Sequence, residues 1–182
     1  HEHYGISYKM IAERKLGYCK RCPLASESDS LTIPIYYQGN LKNIKHRLLN
    51  PNGRGKYRPH ISGLPNVLYN ADDTHKSGDS LVIVEGEIKS IVLSDRTDLL
   101  NVGTSGMQGF NEKWAPFIKN RFPTIYVAYD PDATDKAADT ARLFGEQGRV
   151  LNLPVKPDDF FVHYSGTEKD FYHYLRTARK PQ

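Results

Sequence analysis

The stretch Ser80-Leu-Val-Ile-Val-Glu85-Gly86-Glu87-Ile88-Lys89 decides the fold. Four consecutive apolar residues, three of them β-branched, stop at a Glu-Gly step; such a run predicts a strand buried on both faces. From Glu87 to Asp95 the apolar spacing becomes helical, so a strand-to-helix unit starts here. The pattern then repeats. Leu99 to Val102 reads as a second strand, followed by a helix across Asn111 to Phe122 in which Trp114 and Phe117 read as core. Thr124-Ile-Tyr-Val-Ala-Tyr129 is a third strand, with a helix from Ala133 to Gln147. Arg149-Val-Leu-Asn-Leu153 is a fourth strand, and a last helix starts near Thr167. Short apolar runs alternating with helical periods imply an α/β chain: a mainly parallel four-stranded sheet with helices on both faces.

Upstream of Ser80 the pattern is different. Ser7 to Leu16 has helical spacing, and Gly17 fits its C-terminal stop. Cys19 to Ser30 is polar and rich in breakers, which predicts a loop. Leu31-Thr-Ile-Pro-Ile-Tyr-Tyr37 is β-branched and aromatic, Gln38-Gly39-Asn40 turns the chain, and Leu41 to Leu48 answers as a hairpin partner. Pro51 to Gly55 is a further turn, with short strands near Tyr57 and from Val67 to Tyr69. The polar run His75 to Asp79 is read as a linker. The expected organisation is a small α+β N-terminal subdomain over 1–78, the α/β domain over 79–165, and a C-terminal helix and tail over 166–182.

The chain has 182 residues, 38% hydrophobic and 25% charged, which suits a globular core and excludes a disordered chain. No apolar run reaches the roughly 20 residues of a membrane-spanning helix, so no membrane partner is expected. Two cysteines cannot build a disulfide framework and no segment resembles a signal peptide, so a cytoplasmic location is expected. The chain opens on His1, from which we expect a fragment of a longer polypeptide with partner domains beyond it. Net charge is +4, and between Asp29 and Asp72 there is no carboxylate. That stretch carries Lys42, Lys45, Arg47, Arg54, Lys56 and Arg58, with Tyr36, Tyr37, Tyr57 and Tyr69 interleaved. Unmixed basic charge reads as a surface for a polyanion; the other reading is an ordinary solvated face.

The chemistry should sit where the parallel strands end, because ligands of open α/β sheets bind beyond the carboxyl ends. The first strand is followed by Glu85, the third by Asp130-Pro131-Asp132, and the fourth by Pro154-Val-Lys-Pro-Asp158-Asp159. The second is followed by the hydroxyl-bearing loop Gly103-Thr104-Ser105-Gly106. Carboxylates at three of four strand ends are hard oxygen donors suited to Mg²⁺ or Mn²⁺. The other reading is helix and turn capping. Thr104 and Ser105 fit either a phosphate contact or a cap for the next helix.

On these residues, Ser80 to Phe161 resembles a TOPRIM domain, the fold shared by bacterial-type primases, topoisomerases and some nucleases. The resemblance rests on Glu85-Gly86, Gly103-Thr104-Ser105-Gly106, Tyr129-Asp130-Pro131-Asp132 and Lys156-Pro157-Asp158-Asp159-Phe160. Upstream, Gly5-Ile-Ser, Leu16-Gly17-Tyr18, Ile33-Pro34-Ile35, His46-Arg47, Lys56-Tyr57 and Leu68-Tyr69 are similar, in order, to the N-terminal part of a bacterial replicative primase core. The Glu-Gly-Glu-x-Lys form and the Asp-Asp-Phe ending look most like plasmid and phage replication proteins, often fused to a helicase. The resemblance implies a primase-type nucleotidyltransferase making primers on single-stranded DNA from nucleoside triphosphates, with a helicase domain or subunit as partner. It implies Glu85 as the acid/base or metal-linked carboxylate, Asp130 and Asp132 as metal ligands, and Asp158 or Asp159 as accessory. Arg47, Arg54, Lys56, Tyr57 and Arg58, with Thr104 and Ser105, would meet template or nucleotide.

Two positions depart from the family pattern. Lys89 stands where such primases carry an Asp, and Lys156 where their late Asp-Pro-Asp begins. One helical turn beyond Glu85, Lys89 points towards the same site and would replace one metal site with a cation. A metal-dependent nuclease of the same fold and a non-catalytic nucleic-acid-binding or nucleotide-binding module are the alternatives. A topoisomerase is disfavoured because the chain has no room for a strand-passage body. Cys19-Lys-Arg-Cys22 is half of a zinc pattern, with His1 and His3 upstream. For want of a second pair of cysteines, the expectation is two reduced thiols in a loop.

Overall fold

The computed structural model describes residues 3–23, 28–51, 53, 55–105 and 109–181. They form two compact units, one of Ser7–Val67 and one of Glu2–Ile6 with Leu68–Gln182. No helix is long and apolar enough to cross a membrane among the described residues.

The first unit is a four-stranded antiparallel sheet in the order β1-β2-β3-β4, preceded by α1 (Tyr8–Glu13). Ser7 caps α1, its hydroxyl accepting from Met10 N at 3.1 Å. The hairpin read around Gln38 and Gly39 is β2 (Ser28–Tyr37) and β3 (Asn40–Leu48), and β4 (Tyr57–Pro59) adds to it. The segment expected to be a loop is corrected. Gly17–Cys22 forms β1, antiparallel to the start of β2, with a bulge between Cys19 and Cys22. Four of the six β1 residues are exposed, so no apolar alternation announces the strand.

The second unit holds the parallel sheet, in the order β6-β5-β7-β8. β5 (Ser80–Glu85), β6 (Asn101–Thr104), β7 (Thr124–Ala128) and β8 (Gly148–Val150) are the four strands read from the apolar runs. Leu81, Val82, Ile83 and Val84 are wholly buried, as a strand covered on both faces requires. α2 (Glu87–Arg96) links β5 to β6, α3 (Ala115–Lys119) precedes β7, and α4 (Thr134–Arg142) links β7 to β8. The helix read from Ala133 to Gln147 ends at Arg142. The chain then takes a 3₁₀ turn at Gly145–Gln147, with Gly145 at φ +57°. The helix read across Asn111 to Phe122 is likewise shortened to α3, whose core residues are Ala115 and Ile118, while Trp114 and Phe117 are half-buried.

Strand β6 starts at Asn101 and takes in Gly103 and Thr104, which the sequence suggested as a loop. Gly103 is required by contact. A Cβ there would lie 2.5 Å from the carbonyl oxygen of Gly86. Tyr69 pairs with Gly103 in an antiparallel bridge, and Asp73 accepts from Asn101 N at 3.0 Å. These contacts tie the residues after Leu68 to the parallel sheet. Beyond β8 a short helix that periodicity missed, α5 (Pro157–Val162), packs Phe160 and Phe161 against Phe171 of α6 (Glu168–Thr177).

Candidate active site at the carboxyl edge of the parallel sheet

The strand order reverses at β5, which has β6 on one side and β7 on the other. That reversal opens the crevice where open α/β sheets bind ligands. Glu85 is the last residue of β5. Val84 pairs with Ala128, so Glu85 and Asp130 leave the sheet on neighbouring strands at the same edge. Gly86, at φ +93°, turns the chain from β5 into α2 in a backbone conformation that favours glycine.

Three lysines meet these two carboxylates. Lys136 Nζ lies 2.7 Å from Glu85 Oε1. Lys89 Nζ lies 3.1 Å from Asp130 Oδ1, and Lys156 Nζ lies 3.7 Å from Asp130 Oδ2. Lys89 and Asp130 are both largely shielded from solvent, with side chains 15% and 14% exposed, so their attraction is weakly screened. Burial pushes the Asp130 carboxyl above its ordinary range; Lys89 and Lys156 oppose that shift and the Glu85 charge adds to it. Tyr129 is pushed up to about 12, first by burial, with the Thr140 hydroxyl opposing and Glu85 reinforcing. Glu85 is thus close enough to influence both Tyr129 and Asp130 electrostatically.

The other predicted residues are distributed unevenly. Asp132 is exposed in the 3₁₀ turn Pro131–Ala133 that follows β7. Asp158 and Asp159 both lie in the first turn of α5. Asp159 faces His163 one turn later, 3.8 Å away, whereas Asp158 Oδ1 is buried without a hydrogen-bond partner among the described residues. Thr104 is wholly buried in β6, away from any solvent-borne phosphate, and Ser105 is half-buried after it. Gly106 lies outside the described residues, as does Arg54. Lys136 escaped the sequence reading. Its only signal is its place in α4, one turn beyond Asp132.

In the antiparallel unit, Arg47 pairs with Tyr57 across β3 and β4, and Arg58 stands opposite His46. Strand alternation therefore puts Lys45, Arg47 and Tyr57 on one face and Arg58 on the other. Lys45 Nζ lies 5.2 Å from the centre of the Tyr57 ring, a cation–π contact. Lys56, just before β4, is exposed.

A divalent cation needs hard oxygen donors. Asp130 Oδ1 is shielded but already faces the Lys89 ammonium at 3.1 Å, whereas Asp158 Oδ1 is buried with no hydrogen-bond partner among the described residues. The carboxylates suit such an ion in type, but no three of them have ligand atoms within 4.8 Å of one another among the described residues, and lysines pair with Glu85 and Asp130 instead.

No family model matches the chain, and no curated protein matches it by sequence. Solved structures do match. A DNA primase domain from Pseudomonas aeruginosa superimposes with a TM-score of 0.77 at 17% identity, over 100% of this chain and 71% of its own. The zinc-binding and RNA polymerase domains of the Aquifex aeolicus primase give 0.76 at 16%, over 97% of this chain and 54% of theirs. The RNA polymerase domain of the Mycobacterium tuberculosis primase, in complex with a double-stranded DNA oligomer with a 6-nucleotide overhang, gives 0.77 at 14%, over 98% and 71%. The chain thus spans between about half and three quarters of these structures. Its antiparallel unit and parallel sheet together carry the fold of a bacterial-type DNA primase catalytic core, TOPRIM domain included.

Proposed function

We propose that this chain is a primase-type nucleotidyl-transfer domain, synthesising primers on single-stranded DNA in the replication of a plasmid, phage or other mobile element. The observation that carries the reading is that Glu85 and Asp130, 45 positions apart in sequence, stand at adjacent strand ends beside the strand-order reversal of a primase-like fold. Glu85, Asp130 and Asp132, with Asp158 as accessory, would hold Mg²⁺ or Mn²⁺. When bound, such an ion stabilises charge on the phosphate and lowers the pKa of the attacking 3′-hydroxyl.

The chain's own residues do the rest. Lys136 orients Glu85, which is placed to accept the proton of the attacking hydroxyl. Lys89 and Lys156 favour the ionised form of a buried Asp130. Their ammonium groups, and that of Lys136, also supply positive charge to triphosphate oxygens, the main electrostatic demand of phosphoryl transfer. Arg47, Lys56 and Tyr57 would carry the template through phosphate and stacking contacts. Because the template is single-stranded, a reaction that separates duplex strands must supply it, and a helicase domain or subunit is the implied partner.

The test is incubation with single-stranded DNA, labelled nucleoside triphosphates and Mn²⁺. Labelled oligomers that vanish in Asp130→Ala support primer synthesis; shortened DNA would replace that reading with a nuclease. The lysine pairing of both carboxylates favours one other reading, a non-catalytic binding module. DNA binding unchanged by Asp130→Ala, without synthesis or cleavage, would establish it.

A further inference from the structure

The antiparallel unit contains a second cluster of ligand-forming side chains, unrelated to the carboxyl edge. Cys19 and Cys22 are three residues apart, and in a regular strand that spacing would put them on opposite faces. The bulge in β1 changes this. Cys19 pairs with Ser30 and Cys22 with Ser28, so three steps along β1 match two along β2, and both thiols face the same side. Arg21, at φ +47°, absorbs the distortion, a conformation that a non-glycine residue adopts only when its surroundings impose it.

The sheet brings two histidines to that same face. Ser30 pairs with Leu48 and His46 lies two residues from Leu48, so both share the side of the cysteines. His60, just after β4, donates its backbone N–H to Ile44 O at 2.7 Å, which places it diagonally next to His46. The thiols of Cys19 and Cys22 and a ring nitrogen of His46 all lie within 4.8 Å of one another. Cys22 Sγ is 4.0 Å from His46 Nε2, and that nitrogen is 2.9 Å from His60 Nδ1.

We propose that Cys19, Cys22, His46 and His60 form a structural zinc site that pins β1 to the β3–β4 edge. Two thiolates and two imidazoles are the donor set of a closed tetrahedral zinc site, and they are too soft a set for Mg²⁺ or Ca²⁺. Zinc–sulfur and zinc–nitrogen bonds of about 2.3 and 2.0–2.1 Å put tetrahedral ligand atoms roughly 3.3–3.8 Å apart. Cys22 Sγ and His46 Nε2, at 4.0 Å, are close to that separation, and His60, held to His46 by a 2.9 Å hydrogen bond, must turn from His46 towards the thiols to complete the set. The surroundings fit as well. Ser30, wholly buried, has its hydroxyl 2.9 Å from His46 Nδ1. Donation from Nδ1–H to that oxygen leaves Nε2 bare and aimed at the cluster, the orienting partner that metal-bound histidines generally have. Binding releases the two thiol protons to solvent and changes no oxidation state. A mostly exposed strand of six residues has little apolar burial of its own, so a metal clip explains how β1 is held.

The full chain, expressed with zinc in the medium and purified without chelator, should contain one zinc per molecule by elemental analysis. Cys22→Ser and His46→Ala should lose it, while Asp130→Ala should keep it. Because buried substitutions can unfold the unit, two further measurements are included. Cys19→Ser, at a half-buried position, should lose most of the zinc while keeping the circular dichroism of the wild type. Wild-type apoprotein reconstituted with Co²⁺ should show the visible bands of tetrahedral cobalt with thiolate-to-metal charge transfer. A folded wild-type chain with neither zinc nor a cobalt–thiolate band overturns the proposal. So does a Cys19–Cys22 disulfide in the freshly purified protein, or zinc retained in the cysteine variants and lost in Asp130→Ala.

Discussion

Lys89 meets Asp130 rather than Glu85, although it lies one helical turn beyond Glu85 in sequence. Asp130 follows β7, the strand beside β5, so the Lys89 side chain reaches from the first turn of α2 to the neighbouring strand end. A cation held 3.1 Å from a shielded carboxylate competes with any metal for that oxygen. Replacing it by a carboxylate should add a donor where there is now a repelling charge. In Mn²⁺ titrations, Lys89→Asp should therefore bind more ions per chain than wild type; unchanged stoichiometry would show that Lys89 does not stand in a metal position. Gly103 supports a second residue-scale prediction. Its missing side chain allows β6 to approach the Gly86 carbonyl, so Gly103→Ala forces two backbones apart beside Glu85. Overpacking of this kind costs about 1–3 kcal/mol, readable as a lower denaturation midpoint together with weaker Mn²⁺ binding. Glu85 and Asp130 were legible in sequence because each stands where an apolar strand run stops. Lys136 was not, since its contact with Glu85 depends on how α4 docks on β7.

Elements announced themselves in proportion to how many of their faces are buried. Strands β5 and β7 have continuous apolar runs because helices cover both sides, and their positions follow directly from the sequence. Strand β1 has the opposite character: Gly-Tyr-Cys-Lys-Arg-Cys offers no alternation, and the bulge breaks what parity there is. His46 and His60 were missed for the same reason, because strand pairing and not spacing along the chain brings them to the cysteines. Helix α6 was legible from its start. Thr167 accepts from Asp170 N, and Asp170 accepts from Thr167 N at 2.9 Å, a reciprocal capping box. Thr167→Ala removes the cap and should destabilise the helix by about 1 kcal/mol, seen as a lower midpoint of thermal unfolding. The same box gives a pH dependence. The Thr167 hydroxyl, followed by its backbone N–H, holds the Asp170 carboxyl below its ordinary value. A depressed carboxylate stabilises the folded state fully above its unfolded value, and that contribution disappears as pH falls through the lowered folded one. Acid fraying of α6, followed by backbone chemical shifts, should therefore begin below the usual carboxylate range and move upward in Thr167→Ala.

At the scale of the whole molecule, the net charge of +4 conceals a segregation: the acid-free stretch from Asp29 to Asp72 falls almost entirely within the antiparallel unit, while the carboxylates of the candidate site belong to the parallel one. Positive charge alone does not define a binding face, and the sheet divides the candidates. Arg47 and Tyr57 are on one side of the sheet with the buried Lys45, whose ammonium lies over the Tyr57 ring, and Arg58 is on the other with the buried His46. A strand of DNA crossing the first side would meet Arg47 and an aromatic platform at Tyr57, and phosphate neutralisation there must release counterions. For single-stranded nucleic acid, each neutralised phosphate contributes about 0.7 to the magnitude of the slope of log K against log salt. Arg47→Ala should thus weaken binding to single-stranded DNA and flatten that slope by about 0.7. Arg58→Ala, which removes the same charge from the opposite face, should leave the slope at its wild-type value. Equal flattening by Arg47→Ala and Arg58→Ala would mean that DNA senses only the unit's overall charge, and an unaltered slope in Arg47→Ala would remove this face from the template path.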